Sequence, residues 1–367
     1  MSLIPMLVLA GAALSGPEWH VKRLDSATIP HDWGRGEHAS IPVVELSGIE
    51  AIGHGWYVAV SDDRGQTAPP RYGFLRVDFM KNPETGEPRF RSIGRVDQHL
   101  FLNEQGEPYA PNILDPESIR LLGEANQSRQ FLVASEGRAK DGIGTSLILY
   151  DQIEGAEPLD LTPDKFAPGE DRGIRNNRGF EALGVTPDGR WAYAANEEPL
   201  AQEEASEAVR ILEIDLVTRR VTAEFAYPLG PATLNDDPKQ LGLVELIAIE
   251  RGRLIALERD EDGEGGFDGR LYHVEVHTSD DVASVDPLQA LPVRPAVKFR
   301  LATLSELGVP TANYEGMCLS NPHGEDGQLL ILVSDNDAQE GVETHFELLL
   351  IEGIREGGPL QPAGPGW

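Results

Sequence analysis

Cysteine is almost absent. Cys318 is the single one in 367 residues, which excludes an internal disulfide and any thiolate metal cluster within the chain. It lies in the apolar run Met317-Cys318-Leu319, so a buried structural thiol is expected. Positive charge is also scarce: 31 basic residues face 61 acidic ones, for a formal net charge of -30. Nucleic acid and anionic membrane surfaces are poor partners for such a chain, because neutralising phosphates needs a basic face. Divalent cations remain attractive ones. No segment reaches the length of an apolar membrane span. There is no Gly-x-Ser-x-Gly elbow, no P-loop and no dinucleotide fingerprint, so serine-hydrolase and nucleotide chemistry lack support. The histidines show no paired spacing of the kind that zinc or copper sites use.

What is present suits a β-rich globular protein. Hydrophobic residues make up 40% and charged residues 25%, enough for a core. Gly (39) and Pro (27) supply many turns. The stretch from Leu3 to Leu14 is uncharged and mostly apolar, and Ala13 and Ser15 offer small residues before Gly16. Residues 1–15 therefore read as a secretory signal, with one domain over 16–367 and a secreted or periplasmic location. A buried first strand is the alternative reading of the same stretch. A monomer is expected.

The chain repeats itself. A glutamate at the head of a short apolar strand recurs as Glu50, Glu117, Glu181, Glu245 and Glu315, every 64 to 70 residues. Each such strand is followed by a turn and a second apolar strand that ends in acid: Asp62, Glu136, Glu197, Glu258 and Asp335. Third strands follow at residues 72–78, 146–150, 210–215, 270–274 and 346–351. Fourth strands are expected at 90–96, 221–227 and 296–301, with a weaker one near Leu159. The last repeat lacks chain for a fourth strand, and residues 19–24 could supply it and close the ring. Four-stranded units repeated about a circle describe an all-β propeller of five blades, with room for a degenerate sixth. Residues 97–112 and 155–177 read as surface loops.

In an antiparallel hairpin the start of the first strand lies beside the end of the second. The ten acids Glu50, Asp62, Glu117, Glu136, Glu181, Glu197, Glu245, Glu258, Glu315 and Asp335 are therefore expected at one mouth of the central channel. Carboxylates gathered there repel one another, and calcium, with its six to eight oxygen ligands, offsets the repulsion. The segment Asp260–Asp268 carries alternating acids but lacks the full EF-hand pattern, and reads as a solvated loop. Arg64, Arg138, Arg178 and Arg259 recur beside the acids, either as ion-pair partners or as forks for a substrate phosphate. His54 and His323 fall in turns at the opposite end.

The segments Leu46-Ser-Gly-Ile-Glu50, Ser61-Asp-Asp-Arg64, Asp115-Pro-Glu-Ser118, Ser135-Glu136, Arg178-Gly-Phe-Glu181, Asn196-Glu197, Glu258-Arg-Asp260, Asn313-Tyr-Glu-Gly316 and Ser334-Asp-Asn-Asp337 resemble the phytase-like family, labelled "esterase-like activity of phytase". The resemblance implies an exported propeller with hydrolytic activity on phosphate or other esters. The reading that results is a calcium-dependent phosphoesterase acting on a small molecule. In it Glu50, Asp62 and Glu181 are the catalytic carboxylates, and the four arginines bind substrate. A calcium-dependent lactonase or carboxylesterase and a non-catalytic ligand-binding propeller are the alternatives.

Overall fold

The computed structural model describes residues 18–30, 45–65, 68–123, 130–234, 241–337 and 339–354. The apolar N-terminal stretch read as a signal lies outside them.

The first strand, β1 (His20–Ile29), leaves the start of the described chain and joins the last sheet. Four blades then follow in sequence. Blade 1 comprises β2 (Leu46–Gly53), β3 (Trp56–Ser61), β4 (Arg71–Lys81) and β5 (Pro88–Leu100). Blade 2 comprises β6 (Pro116–Leu122), β7 (Gln130–Ser135), β8 (Ser146–Asp151) and β9 (Gly155–Leu159). Blade 3 comprises β10 (Phe180–Val185), β11 (Trp191–Asn196), β12 (Ala208–Asp215) and β13 (Arg220–Pro228). Blade 4 comprises β14 (Leu241–Glu250), β15 (Arg253–Glu261), β16 (Phe267–Glu275) and β17 (Val297–Thr303). Blade 5 is β18 (Asn313–His323), β19 (Gly327–Asp335) and β20 (Thr344–Glu352), completed by β1 in antiparallel register from His20 opposite Glu352 to Ile29 opposite Thr344. The molecule is a five-bladed β-propeller, and the N-terminal strand covers the edge that β20 would otherwise expose.

The strand pattern explains the packing. Successive side chains on a strand point to opposite faces. In β19, Leu330 and Leu332 pack toward blade 4 while Leu329, Ile331 and Val333 pack toward blade 1. In β7, Leu132 and Ala134 face blade 3 while Phe131 and Val133 face blade 2's other neighbour, blade 1. Strands buried on both faces read as unbroken apolar runs. The core is accordingly five seams, one between each pair of adjacent blades. Cys318 is buried in the seam between blades 5 and 1, as a structural thiol.

Two expected loops are partly structured. Residues 97–100 continue β5 along β4, and residues 155–159 form β9, the outer strand of blade 2. The second is the weaker fourth strand expected near Leu159, and the first was hidden by its polar residues Asp97, Gln98 and His99.

Candidate metal site at the axial mouth

Each inner strand carries a bulge at the same end of the ring. The ladder skips one residue at Ser47 in β2, Glu117 in β6, Glu181 in β10, Val244 in β14 and Glu315 in β18. A bulge leaves its extra residue out of the ladder and re-aims its side chain. In three blades that side chain is a carboxylate. The residue one past the ladder partner of the residue before the bulge is Asp62, Glu136, Glu197, Arg259 or Asp335 in blades 1 to 5.

Seven of the ten expected acids therefore meet at the mouth: Asp62, Glu117, Glu136, Glu181, Glu197, Glu315 and Asp335. Their mutual repulsion links them. Burial and then Glu181, Asp115 and Asp62 push Glu117 well above the usual carboxylate range. Burial and then Asp335 and Glu315 do the same to Asp62. Glu136, Glu181 and Asp335 are raised first by burial, then by neighbouring acids of the same ring.

Three expected acids lie elsewhere, and the cause is register. Glu50 and Glu245 sit beyond the bulges, three and one residues deeper along their strands, where Ser47 and Val244 hold the equivalent places. Both face Arg120, whose Nη2 is 2.7 Å from Glu245 Oε2 and whose Nη1 is 3.8 Å from Glu50 Oε2. Arg120 also donates to the carbonyls of Ile49, Ile119, Leu246 and Met317, and so ties four inner strands together beneath the ring. Glu258 is the ladder partner of Leu243, one place short of the ring. It accepts hydrogen bonds from Tyr227 Oη, the Gly230 amide and Lys298, between blades 3 and 4.

The sequence pattern missed Asp115. It precedes Glu117 by two residues, its carbonyl accepts the Glu136 amide, and its side chain joins the cluster. Burial first, against the opposing pull of Arg64, raises it to about 6. Ligand oxygens of Asp115, Glu117 and Glu136 lie within 4.8 Å of one another, and so do those of Glu136, Glu181 and Glu197. Glu136 belongs to both groups. It is 1% exposed, and neither of its carboxylate oxygens has a hydrogen-bond donor among the described residues. Asp62 Oδ1 is likewise without a donor. Buried carboxylates normally find partners, and these orphaned oxygens are of the kind that could ligate a cation. An all-oxygen donor set without His or Cys fits calcium.

Close backbone approach makes this cluster possible. A Cβ on Gly179 would stand 1.9 Å from the Glu136 carbonyl oxygen, and one on Gly242 would stand 2.6 Å from Glu197 Cγ. Only glycine lets the start of an inner strand approach the end of the preceding blade's second strand there.

The arginines differ in role. Arg64 Nε lies 2.7 Å from Asp115 Oδ2, and its Nη1 donates to Asn177. Arg178 bonds Glu197 Oε2 at 2.8 Å and Glu198 Oε1 at 2.7 Å. Arg138 stands on the rim, 3.0 Å from Asp141 and bonded to Asn112. Arg259 is buried between Glu197, Glu315 and Asn313. In the segment Asp260–Asp268, Asp262 Oδ1 accepts the amides of Glu264 and Gly266, and Asp260 Oδ2 is bonded by Thr233. The Asp262 bonds are those of a local turn, while Asp260 is tied to the segment around Thr233. His54 and His323 lie at the β2–β3 and β18–β19 turns, away from the ring.

The phytase-like family model, described as esterase-like activity of phytase, matches residues 41–338. The chain belongs to this family. Among solved structures it is similar to an endo-arabinase from Bacteroides thetaiotaomicron, at 12% identity over 87% of this chain and 99% of that one, with a TM-score of 0.42. It is similar to a gluconolactonase from Xanthomonas campestris, at 9% identity over 80% and 68%, with a TM-score of 0.32. A third is the Cps50 (Swd1) β-propeller domain of Myceliophteria thermophila, at 9% identity over 83% and 82%, with a TM-score of 0.34. A comparison with curated proteins gives no match.

Proposed function

We propose that this phytase-like propeller is an exported, calcium-dependent hydrolase of small phosphoesters, working at the axial mouth. The observation that carries the reading is Glu136, buried, without a hydrogen-bond donor on either oxygen among the described residues, and shared by two groups of convergent carboxylates. Asp115, Glu117 and Glu136 would hold the ion. Bound there, calcium would supply charge for the phosphoryl oxygens and acidify a water.

The chain's own residues account for the rest. Arg64 and Arg178 reach the ring from its rim with 18% and 31% of their side chains exposed, and their planar forks suit two phosphate oxygens. Asp62 is the least buried of the ring acids, and once a bound cation offsets the repulsion that raises it, its Oδ1 would be the general base that takes the proton of the attacking water. Glu181, pushed up by burial and by Glu136 and Glu197, holds a proton for the leaving alkoxide. Glu50, placed beside Arg120 below the ring, has no part in this scheme.

The test is phosphate release from a panel of phosphoesters and lactones by the purified protein, before and after chelation. Phosphate release that is lost with chelator and restored by calcium supports the reading. Lactone opening without phosphate release would replace it with a lactonase. Ligand binding that chelation abolishes, with no turnover, would replace it with a binding propeller. Export is tested separately: the mature N-terminus should be Gly16.

A further inference from the structure

Blade 4 breaks the ring's chemistry at one position. Asp62, Glu136, Glu197 and Asp335 occupy equivalent places, each one residue past the ladder partner of the residue before the bulge and opposite residue 45, 115, 179 or 313. In blade 4 the pair is Gly242 with Arg259. A cation therefore stands where the other four blades place a carboxylate.

Its surroundings show what it does. Arg259 is 8% exposed. Its Nη2 lies 2.5 Å from Glu197 Oε1, and its Nη1 bonds both Glu315 Oε1 and Asn313 Oδ1. The second oxygen of Glu197 is bonded by Arg178 at 2.8 Å. Both oxygens of Glu197 are thus engaged by guanidinium groups, although Glu197 is geometrically placed with Glu136 and Glu181 to form an ion site. Glu136, by contrast, has no hydrogen-bond donor on either oxygen among the described residues. The nearest guanidinium paired with Glu136 is that of Arg64, whose Nη2 stands 3.9 Å from Oε2, whereas two arginines bond Glu197 directly.

We infer that Arg259 is a built-in counter-ion that sets how many cations the mouth takes: it holds Glu197 and Glu315 out of metal ligation, so the ring carries one divalent ion fewer than its carboxylates could bind. A guanidinium and a divalent cation compete for the same carboxylate oxygens. With Arg259 in place, ions are confined to the side of the ring formed by blades 1 to 3. Without its charge, Glu181, Glu197 and Glu315 become a repelling buried group that a divalent cation would fill. The inference rests on the reading of the ring as a calcium site, but its readout is a difference of one ion and does not need the wild-type number.

The experiment compares the wild type with Arg259→Met, which keeps the side chain's length and loses its charge, and with Arg259→Lys, which keeps a charge. Bound calcium per chain is measured by equilibrium dialysis, alongside melting temperature with and without calcium. Arg259→Met should bind one more calcium than the wild type and show a larger calcium-dependent rise in melting temperature. Arg259→Lys should match the wild type in stoichiometry. Adding Glu315→Gln to Arg259→Met should remove the extra ion. A folded Arg259→Met protein with the wild-type stoichiometry would overturn the inference. So would an Arg259→Met protein that stays unfolded in millimolar calcium while Arg259→Lys folds. A wild type that binds no calcium would end the calcium reading of the native mouth, yet Arg259→Met should then still bind one ion.

Discussion

Arg120 Nη2 lies 2.7 Å from Glu245 Oε2 inside the channel, with both side chains almost wholly buried. Glu245 also accepts from Ser118 Oγ and from the Leu183 and Leu246 amides. The pair and its carbonyl partners join inner strands that are far apart in sequence, and they floor the acid ring above.

Breaking this floor from one side should be costly. Arg120→Met leaves Glu245 buried without its cation and should lower stability by about 3–5 kcal/mol. Glu245→Leu combined with Arg120→Met should recover much of that loss. Chemical denaturation of the three proteins checks the order.

Gly179→Ala tests the strand convergence. The added Cβ would meet the Glu136 carbonyl at 1.9 Å, so β10 or the end of β7 must move. Stability should fall by about 1–3 kcal/mol, and calcium affinity should fall with it because Glu136 is displaced. Unchanged affinity in a destabilised protein would detach the glycine from the site.

The legible part of the fold was the repetition. Recurring glutamates in apolar inner strands counted the blades, and residues 19–24 pointed to the closing strand, which runs over His20–Ile29. The site was legible to within one bulge. Glu117, Glu181 and Glu315 are bulge residues, whereas Glu50 and Glu245 merely share their spacing. A period-two pattern carries no mark of a bulge, so the five glutamates looked equivalent. Second-strand ends held the better signal. Ser61-Asp62, Ser135-Glu136, Asn196-Glu197 and Ser334-Asp335 align, and in that frame Glu258-Arg259 puts the arginine, not Glu258, in the ring.

Stability of the metal-free protein should depend on pH with a definite sign. Burial raises Asp115 to about 6 and Glu45 to about 7, above their ordinary values near 4. The folded state then holds protons that the unfolded chain releases, so stability is full below about pH 4 and declines as pH rises through 6 to 7. Melting temperature in chelator should drop on the order of 5 °C between pH 5 and pH 8. Calcium should flatten the profile. A metal-free protein that becomes more stable as pH rises through this window would contradict the pattern of buried carboxyls.

Arg178→Gln addresses the proposed chemistry. Glu197 keeps Arg259, so the ring should stay intact while a phosphate contact is lost. For phosphoester turnover, kcat/KM should fall about a hundredfold, with calcium content unchanged. Equal activity in the variant would remove Arg178 from the substrate site.

The central claim is that the ring carboxylates, and not the deeper pair, hold a cation. Calorimetric titration of calcium into the chelator-stripped wild type, Glu136→Gln and Glu245→Gln proteins tests it most directly. Binding to the wild type, weakening by roughly tenfold or more in Glu136→Gln and wild-type affinity in Glu245→Gln are the predicted results. No heat of binding in the wild type, or the same affinity in wild type and Glu136→Gln, would contradict it.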